Sequence, residues 1–236
     1  MMKHNTLIKL LELYPDKPWN WNALASNLNI TLEYIANNPE RPWNWFYLSA
    51  NPNITMEYIS NNPDLPWDWE GVSGNPNITW EFVQANHDKP WNWGYLSRNS
   101  NITWDIIQSN PEKPWDWLEI QTNPNINPEI ITNNPTKPWN WNWLSINHNI
   151  TSNFIVKNLD KKWNWDNLSN NPNITWGLIQ KTSKKSWNWY RLSENPNITW
   201  EIVQSNSDLW DWRTLSRNPN ITWEIVQANL DQLWNW

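Results

Sequence analysis

The 236-residue chain has no cysteine, which rules out disulfides and thiolate metal sites and permits a reducing intracellular compartment. Its four glycines, Gly71, Gly74, Gly94 and Gly177, are too few and too scattered for a phosphate-cradling loop. Three histidines (His4, His87 and His148) lie far apart in sequence with no H-x-x-x-H spacing, so no metal site is expected. No segment approaches the ~20 apolar residues of a membrane span. The first residues, with Lys9 and Glu12 breaking their apolar run, make a poor signal peptide. The net charge is −6 with acids spread along the chain, and no basic stripe is present to neutralise phosphates, which argues against a nucleic-acid partner.

What the chain does have is tryptophan, 26 residues of it, in a background polar enough to hold the mean hydropathy at −0.84. Pairs of tryptophans separated by one residue begin at Trp19, Trp43, Trp67, Trp91, Trp115, Trp139, Trp163 and Trp187, always 24 residues apart. Trp210 follows after 23 and Trp234 after 24 more, so ten copies of one unit fill the chain from about residue 19. A unit this short cannot bury its own apolar face, and stacked neighbours must supply a shared core.

Numbering each unit from the first Trp as position 0, position 1 is always Asn or Asp. These are strong N-caps, because their side-chain oxygen accepts an otherwise orphaned N–H of the first helical turn. The first Trp then stands at N′ and an aliphatic residue at position 5 stands at N4, the spacing of a hydrophobic staple. A short helix is predicted from the second Trp to about position 8, as at 21–27, stopped by Pro at position 9. Position 11 is Ile in all nine copies that reach it, and position 12 is Thr, or Asn127 in one copy, again an N-cap. Position 14 is acidic in seven of the nine, where it complements the helix dipole, and Pro128 falls at the tolerated N1 site. A second helix is therefore predicted over positions 13–19, as at 80–86.

These signals agree on an all-α fold, an α-solenoid of nine to ten two-helix repeats. A β-solenoid or leucine-rich-type coil is the alternative, since 24 residues also suits those and Trp-x-Trp alternates with period 2. Residues 1–18 are expected to form an N-terminal capping helix, with 19–236 as a single elongated repeat array. The Trp pair at 234–236 is expected either to fold back as a lid or to stay open as a docking edge. The deletion before Trp210 is expected to shorten one turn. Asparagines at positions 8 and 10 are expected to bond backbone groups of adjacent turns as ladders. The recurring N-I-T triplet is a turn and N-cap in this setting rather than a glycosylation site.

Residues that recur in every unit are explained by the unit, so carboxylate pairs such as Asp68 and Glu70, and the repeated Ser at position 6, suggest no catalytic site. No cofactor or small-molecule substrate is implied. Function should sit where copies differ, above all at positions 3 and 4. Phe46, Tyr47, Tyr95, Trp143 and Tyr190 fall there and are candidate partner-binding anchors of the kind enriched at interface hot spots. The competing reading has them cover the edges of the Trp core. Between about 140 and 186 the chain is locally basic, with Lys161, Lys162, Lys181, Lys184 and Lys185, as a solvated turn face or as a patch for an acidic partner. In the same region Ser152 and Asn153 replace the usual Trp and acid.

Strings such as NPNITWEFVQ (75–84), WNWGYLS (91–97) and NPNITWEIVQ (195–204) resemble a family of NPN-[IL]-T-x-E-[FI]-I…[DN]-W-x-x-[LI]-S repeat proteins encoded by giant DNA viruses, mostly without assigned function. That resemblance covers about 19–236 and implies a helical solenoid from an Asn-rich, AT-biased genome, located in the host cytoplasm or the virion. It supplies no catalytic residues, and the Pro-Trp before the cap departs from the commoner Leu-Asp-Trp form. The expectation is a non-enzymatic scaffold that binds another protein through its variable face. The alternative is a self-assembling structural protein of a virion, fibre or filament.

Overall fold

The computed structural model describes residues 6–235, so Trp236 and its expected role lie outside the described residues. Among the described residues the regular structure is helical, with nineteen short α-helices, one 3-10 helix and no strand. The β-solenoid alternative is thereby excluded, and the protein is an all-α repeat solenoid. Its contacts divide it into two compact units, Met1–Glu119 and Ile120–Trp236, with the division inside the helix Trp117–Ile120.

The first unit opens with the longest helix, Thr6–Leu13. First-type helices Trp21–Ala25, Trp45–Ser49, Trp69–Gly74 and Trp93–Arg98 then alternate with second-type helices Leu32–Asn37, Met56–Asn61, Trp80–Ala85 and Trp104–Ser109. In the second unit, second-type helices Pro128–Asn133, Ser152–Lys157, Trp176–Lys181, Trp200–Ser205 and Trp223–Ala228 alternate with first-type helices Trp141–Leu144, Trp165–Ser169, Trp189–Ser193 and Trp212–Leu215. First helices end one to three residues earlier than the sequence suggests. The reason is the asparagine at position 8, whose side chain is needed elsewhere.

Capping starts the helices as expected. Asn92 Oδ1 accepts the Tyr95 N–H at 3.0 Å, and Thr79 Oγ1 accepts the Phe82 N–H at 3.2 Å. Thr175, Thr199 and Thr222 differ and make no side-chain cap bond. At Thr199 and Thr222 the hydroxyl instead bonds the carboxylate of Glu201 or Glu224, holding each acid below its usual range. Nothing in the structure explains Thr175.

Second helices end on an asparagine with two roles. The Asn86 amide donates back to the Phe82 carbonyl at 2.9 Å, satisfying a helix-end acceptor, while the Asn86 carbonyl accepts Trp91 Nε1 at 2.8 Å. That indole bond, five residues back, recurs for other first tryptophans, among them Trp43, Trp67, Trp115, Trp163 and Trp234. At Trp187 the acceptor is Thr182 Oγ1. At Trp210 the one-residue deletion converts the turn to the 3-10 helix Ser207–Leu209, and the buried indole nitrogen is left without a partner.

In each unit the apolar core holds isoleucines at position 11 and aliphatics at position 5 and, on the second helices, at position 16, such as Ile59, Val83, Ile155 and Val203. Ile54, Ile78, Ile102, Ile150 and Ile174 at position 11 are fully buried, as are Leu48, Val72, Leu96, Leu144 and Leu168 at position 5. Beside them the first Trp of one repeat meets the second Trp of the repeat before it. Trp21–Trp43, Trp69–Trp91 and Trp165–Trp187 are edge-on pairs with centroids 4.9–5.0 Å apart.

Between these apolar residues runs a buried polar spine, as the sequence suggested. Asn75 donates to the carbonyls of Ser49 at 2.8 Å and Asn51 at 3.0 Å, and its own Oδ1 accepts the Asn77 N–H. Asn77 donates in turn to Pro52 and Ile54 carbonyls of the previous repeat. The bond to the preceding repeat's asparagine carbonyl recurs at Asn171, at 3.1 Å to Asn147, and at Asn195, at 2.9 Å to Asn171, and Asn197 again donates to the Pro172 and Ile174 carbonyls. These amides satisfy carbonyls at helix ends that would otherwise be buried unpaired. The serine at position 6 links repeats as well, since Ser73 Oγ accepts the Asn92 N–H at 2.9 Å. Gln121 takes that place once, accepting the Asn140 N–H.

Candidate functional site

Position 3 of each first helix is exposed or half-buried, position 4 ranges from exposed Tyr47 to buried Gly71 and Thr214, and the structure groups three of the five candidate aromatics. Phe46 and Tyr47 share the helix Trp45–Ser49 with centroids 5.2 Å apart, and Phe46 lies 6.2 Å from Tyr95, two repeats on. The intervening repeat permits this contact because its position 4 is Gly71. A Cβ there would stand 2.3 Å from the Phe46 carbonyl oxygen and 3.0 Å from Ser49 Cβ, so only glycine allows the two helices this approach. Tyr95 lies beside Gly74, 3.9 Å from where that residue's Cβ would be, with the Arg98 guanidinium 4.2 Å over its ring and paired to Glu119 at 3.6 Å. Tyr47 is 41% exposed. No ring of this trio is in aromatic contact with the Trp columns, so it forms a separate surface cluster.

In the second unit the candidates stand apart. Trp143 is half-buried on Trp141–Leu144 and Tyr190 is exposed on Trp189–Ser193, with no ring contact joining them. Tyr190 is flanked by charge instead. Arg217 pairs with Glu194 at 3.0 Å, which raises its already high pKa, and Arg191 pairs with Asp166 at 3.5 Å.

Sequence reasoning missed a second kind of surface. Four cations two residues before a first Trp lie over the second Trp of the preceding repeat: Arg41 over Trp21 at 5.8 Å, Lys89 over Trp69 at 5.6 Å, Lys161 over Trp141 at 5.7 Å, Lys185 over Trp165 at 5.4 Å. Grooves open beside this column, between successive second helices. The larger, about 750 Å³, lies between Pro128–Asn133 and Ser152–Lys157, and a smaller one of about 310 Å³ lies against Trp80–Ala85. The signal for the larger was present in the sequence, where Pro128 and Ser152 stand in place of the Trp found at position 13 of other copies.

Among the described residues no three His, Cys, Asp or Glu side chains group so as to hold a metal ion, and no helix is long and apolar enough to cross a membrane. Comparison with protein-family models, curated proteins and solved structures finds no match to this chain.

Proposed function

We propose that this protein is a non-enzymatic repeat scaffold that binds another protein through the outward face of its first helices. The observation that carries this reading is the Phe46–Tyr47–Tyr95 cluster. Three aromatics gather on a surface where the recurring residues are already used in caps, spine and core, and a glycine is placed so that they meet. Aromatic anchors of this kind dominate interface energetics. The test is the triple substitution Phe46→Ala, Tyr47→Ala, Tyr95→Ala, with partner capture from the natural host and far-UV circular dichroism as readouts. Lost capture with unchanged dichroism supports the reading, and lost helicity shows the trio to be core. The resemblance to giant-virus repeats supports a location in the host cytoplasm or the virion, which fractionation of infected cells and purified particles would check.

A self-assembling structural protein is the second reading. Trp223, Leu230 and Leu233 favour it, being 58%, 62% and 68% exposed in the last described repeat. Heterologous contacts through such a patch generate polymers when the rotation does not close. Sedimentation velocity separates the two. A monomer independent of concentration removes the self-assembler, and discrete polymers remove the monomeric adaptor.

A further inference from the structure

We propose that the groove between the second helices Pro128–Asn133 and Ser152–Lys157 binds an acidic peptide segment of a partner protein, anchored by one bulky aromatic side chain. This site is separate from the first-helix surface and does not depend on it.

The argument starts from two versions of one groove, 48 residues apart. In the first unit Trp80, Val83, Trp91, Trp93 and Lys113 stand where the second unit has Pro128, Ile131, Trp139, Trp141 and Lys161. Trp80 partly fills its groove and reaches the Trp115 ring, with centroids 5.6 Å apart. With Pro128 in that place no indole enters, and the space grows from about 310 to about 750 Å³. The larger volume suits one aromatic side chain with its flanking backbone, within the range of ordinary ligand pockets. The walls remain aromatic: Trp141 and Phe154 are stacked at 6.0 Å and 22°. An incoming aromatic ring therefore finds the surroundings that other repeats supply to their own tryptophan.

Charge selects what flanks that ring. The lining carries Lys137, Lys157 and Lys161 against the single acid Glu129, in a chain of net charge −6. In this column an acid directly before the cation pairs with it, as in Asp160–Lys161 at 2.9 Å at this groove and Glu40–Arg41 at 3.7 Å, Asp88–Lys89 at 3.6 Å and Glu112–Lys113 at 3.6 Å in other repeats. Before Lys137 that place is Thr136, and Lys157 stands where the first unit has Ser109. Lys157 is exposed and in no ion pair. The excess of lysine over acid in the lining, with Lys161 paired to Asp160 and Lys157 left outside any ion pair, complements a few carboxylates, whereas a nucleic-acid strand requires a longer basic track. Exposed Asn133 and Asn153 on the walls offer hydrogen bonds to a peptide backbone.

Fluorescence anisotropy on the full chain tests this with labelled DDWDD, DDADD and KKWKK peptides and a labelled oligothymidylate. DDWDD should bind roughly tenfold or more tighter than DDADD, the difference one buried anchor makes. Pro128→Trp restores the side chain that other copies carry there and should abolish binding with the fold intact. Lys157→Glu, at an exposed site, should weaken it about tenfold through lost charge complementarity. Equal binding of DDADD and DDWDD, tighter binding of KKWKK or oligothymidylate, or full binding by Lys157→Glu would each overturn the proposal. Because Phe46, Tyr47 and Tyr95 are untouched in these variants, capture through the first-helix surface should persist, so the two ideas fail separately.

Discussion

Asn75 donates its side-chain amide to the main-chain carbonyl of Asn51, 24 residues earlier, at 3.0 Å, and Asn51 stands in the same relation to Asn27 at 3.3 Å. One residue type at one position thus bonds to its own counterpart in the repeat before. With Asn75 fully buried and bonded to the Ser49 carbonyl as well, the spine holds successive repeats in register.

Asn75→Ala should therefore destabilise the protein by about 3 kcal/mol, since buried carbonyls lose their donors. Asn75→Asp should be worse although it is nearly isosteric, because a carboxylate offers those carbonyls no N–H and brings a buried charge. Urea denaturation followed by circular dichroism measures both. A loss no larger than that of the exposed Asn153→Ala would show the spine to be energetically idle.

The two tryptophans Trp67 and Trp210 make a controlled pair. Both are buried at the same place in the unit, but Trp67 Nε1 donates to the Asn62 carbonyl at 2.8 Å while Trp210 Nε1 has no partner. Replacement by Phe removes similar ring area from each. Trp67→Phe should cost about 1–2 kcal/mol more than Trp210→Phe, which relieves an unsatisfied buried donor. Equal shifts in the denaturation midpoints would contradict this.

Glycines separate in the same way. Gly71→Ala drives a Cβ into the Phe46 carbonyl and should cost about 2 kcal/mol, the scale of core overpacking. Gly177→Ala meets nothing within 4 Å in the helix Trp176–Lys181, and should stabilise by roughly 0.5–1 kcal/mol through helix propensity. Thermal melting of the two variants should shift in opposite directions.

Acid sensitivity has a stated sign. Glu201 and Glu224 are held below their ordinary pKa of 4.5, first by the Thr199 and Thr222 hydroxyls and then by backbone hydrogen bonds. A depressed folded-state pKa contributes stability that is present above the unfolded value and is lost as pH falls through the folded one. Carboxyl titration by NMR in Thr199→Val should show the Glu201 pKa rising toward 4.5 while Glu224 stays unchanged; an unmoved Glu201 would dismiss the hydroxyl as its cause.

Local chemistry was legible in the sequence wherever the partner lies within a few residues. Asn92 and Thr79 cap the helices that follow them, Pro128 sits at a helix start, and Ile78 is buried, all as their spacing implies. Even the asparagine ladder could be anticipated, because a polar residue repeated every 24 positions must be satisfied by its neighbours. The second role of Asn86, as acceptor for Trp91, was not legible, because Trp at that place read equally well as a staple. The failed caps at Thr199 and Thr222 were hidden too, since a rotating hydroxyl chooses between an amide and a nearby carboxylate.

Period, helix starts and buried positions were determined by the sequence alone, because capping and amphipathic spacing act over a single turn of chain, while the structure excluded the β-solenoid that the same period allowed. Tertiary structure alone decided that Phe46 meets Tyr95 across Gly71, that Lys161 lies over Trp141, and that the place of an absent indole at Pro128 becomes a groove. These are contacts between repeats, 20 to 49 residues apart in sequence. They depend on how far each repeat is rotated and translated against the last, and no single repeat encodes that geometry.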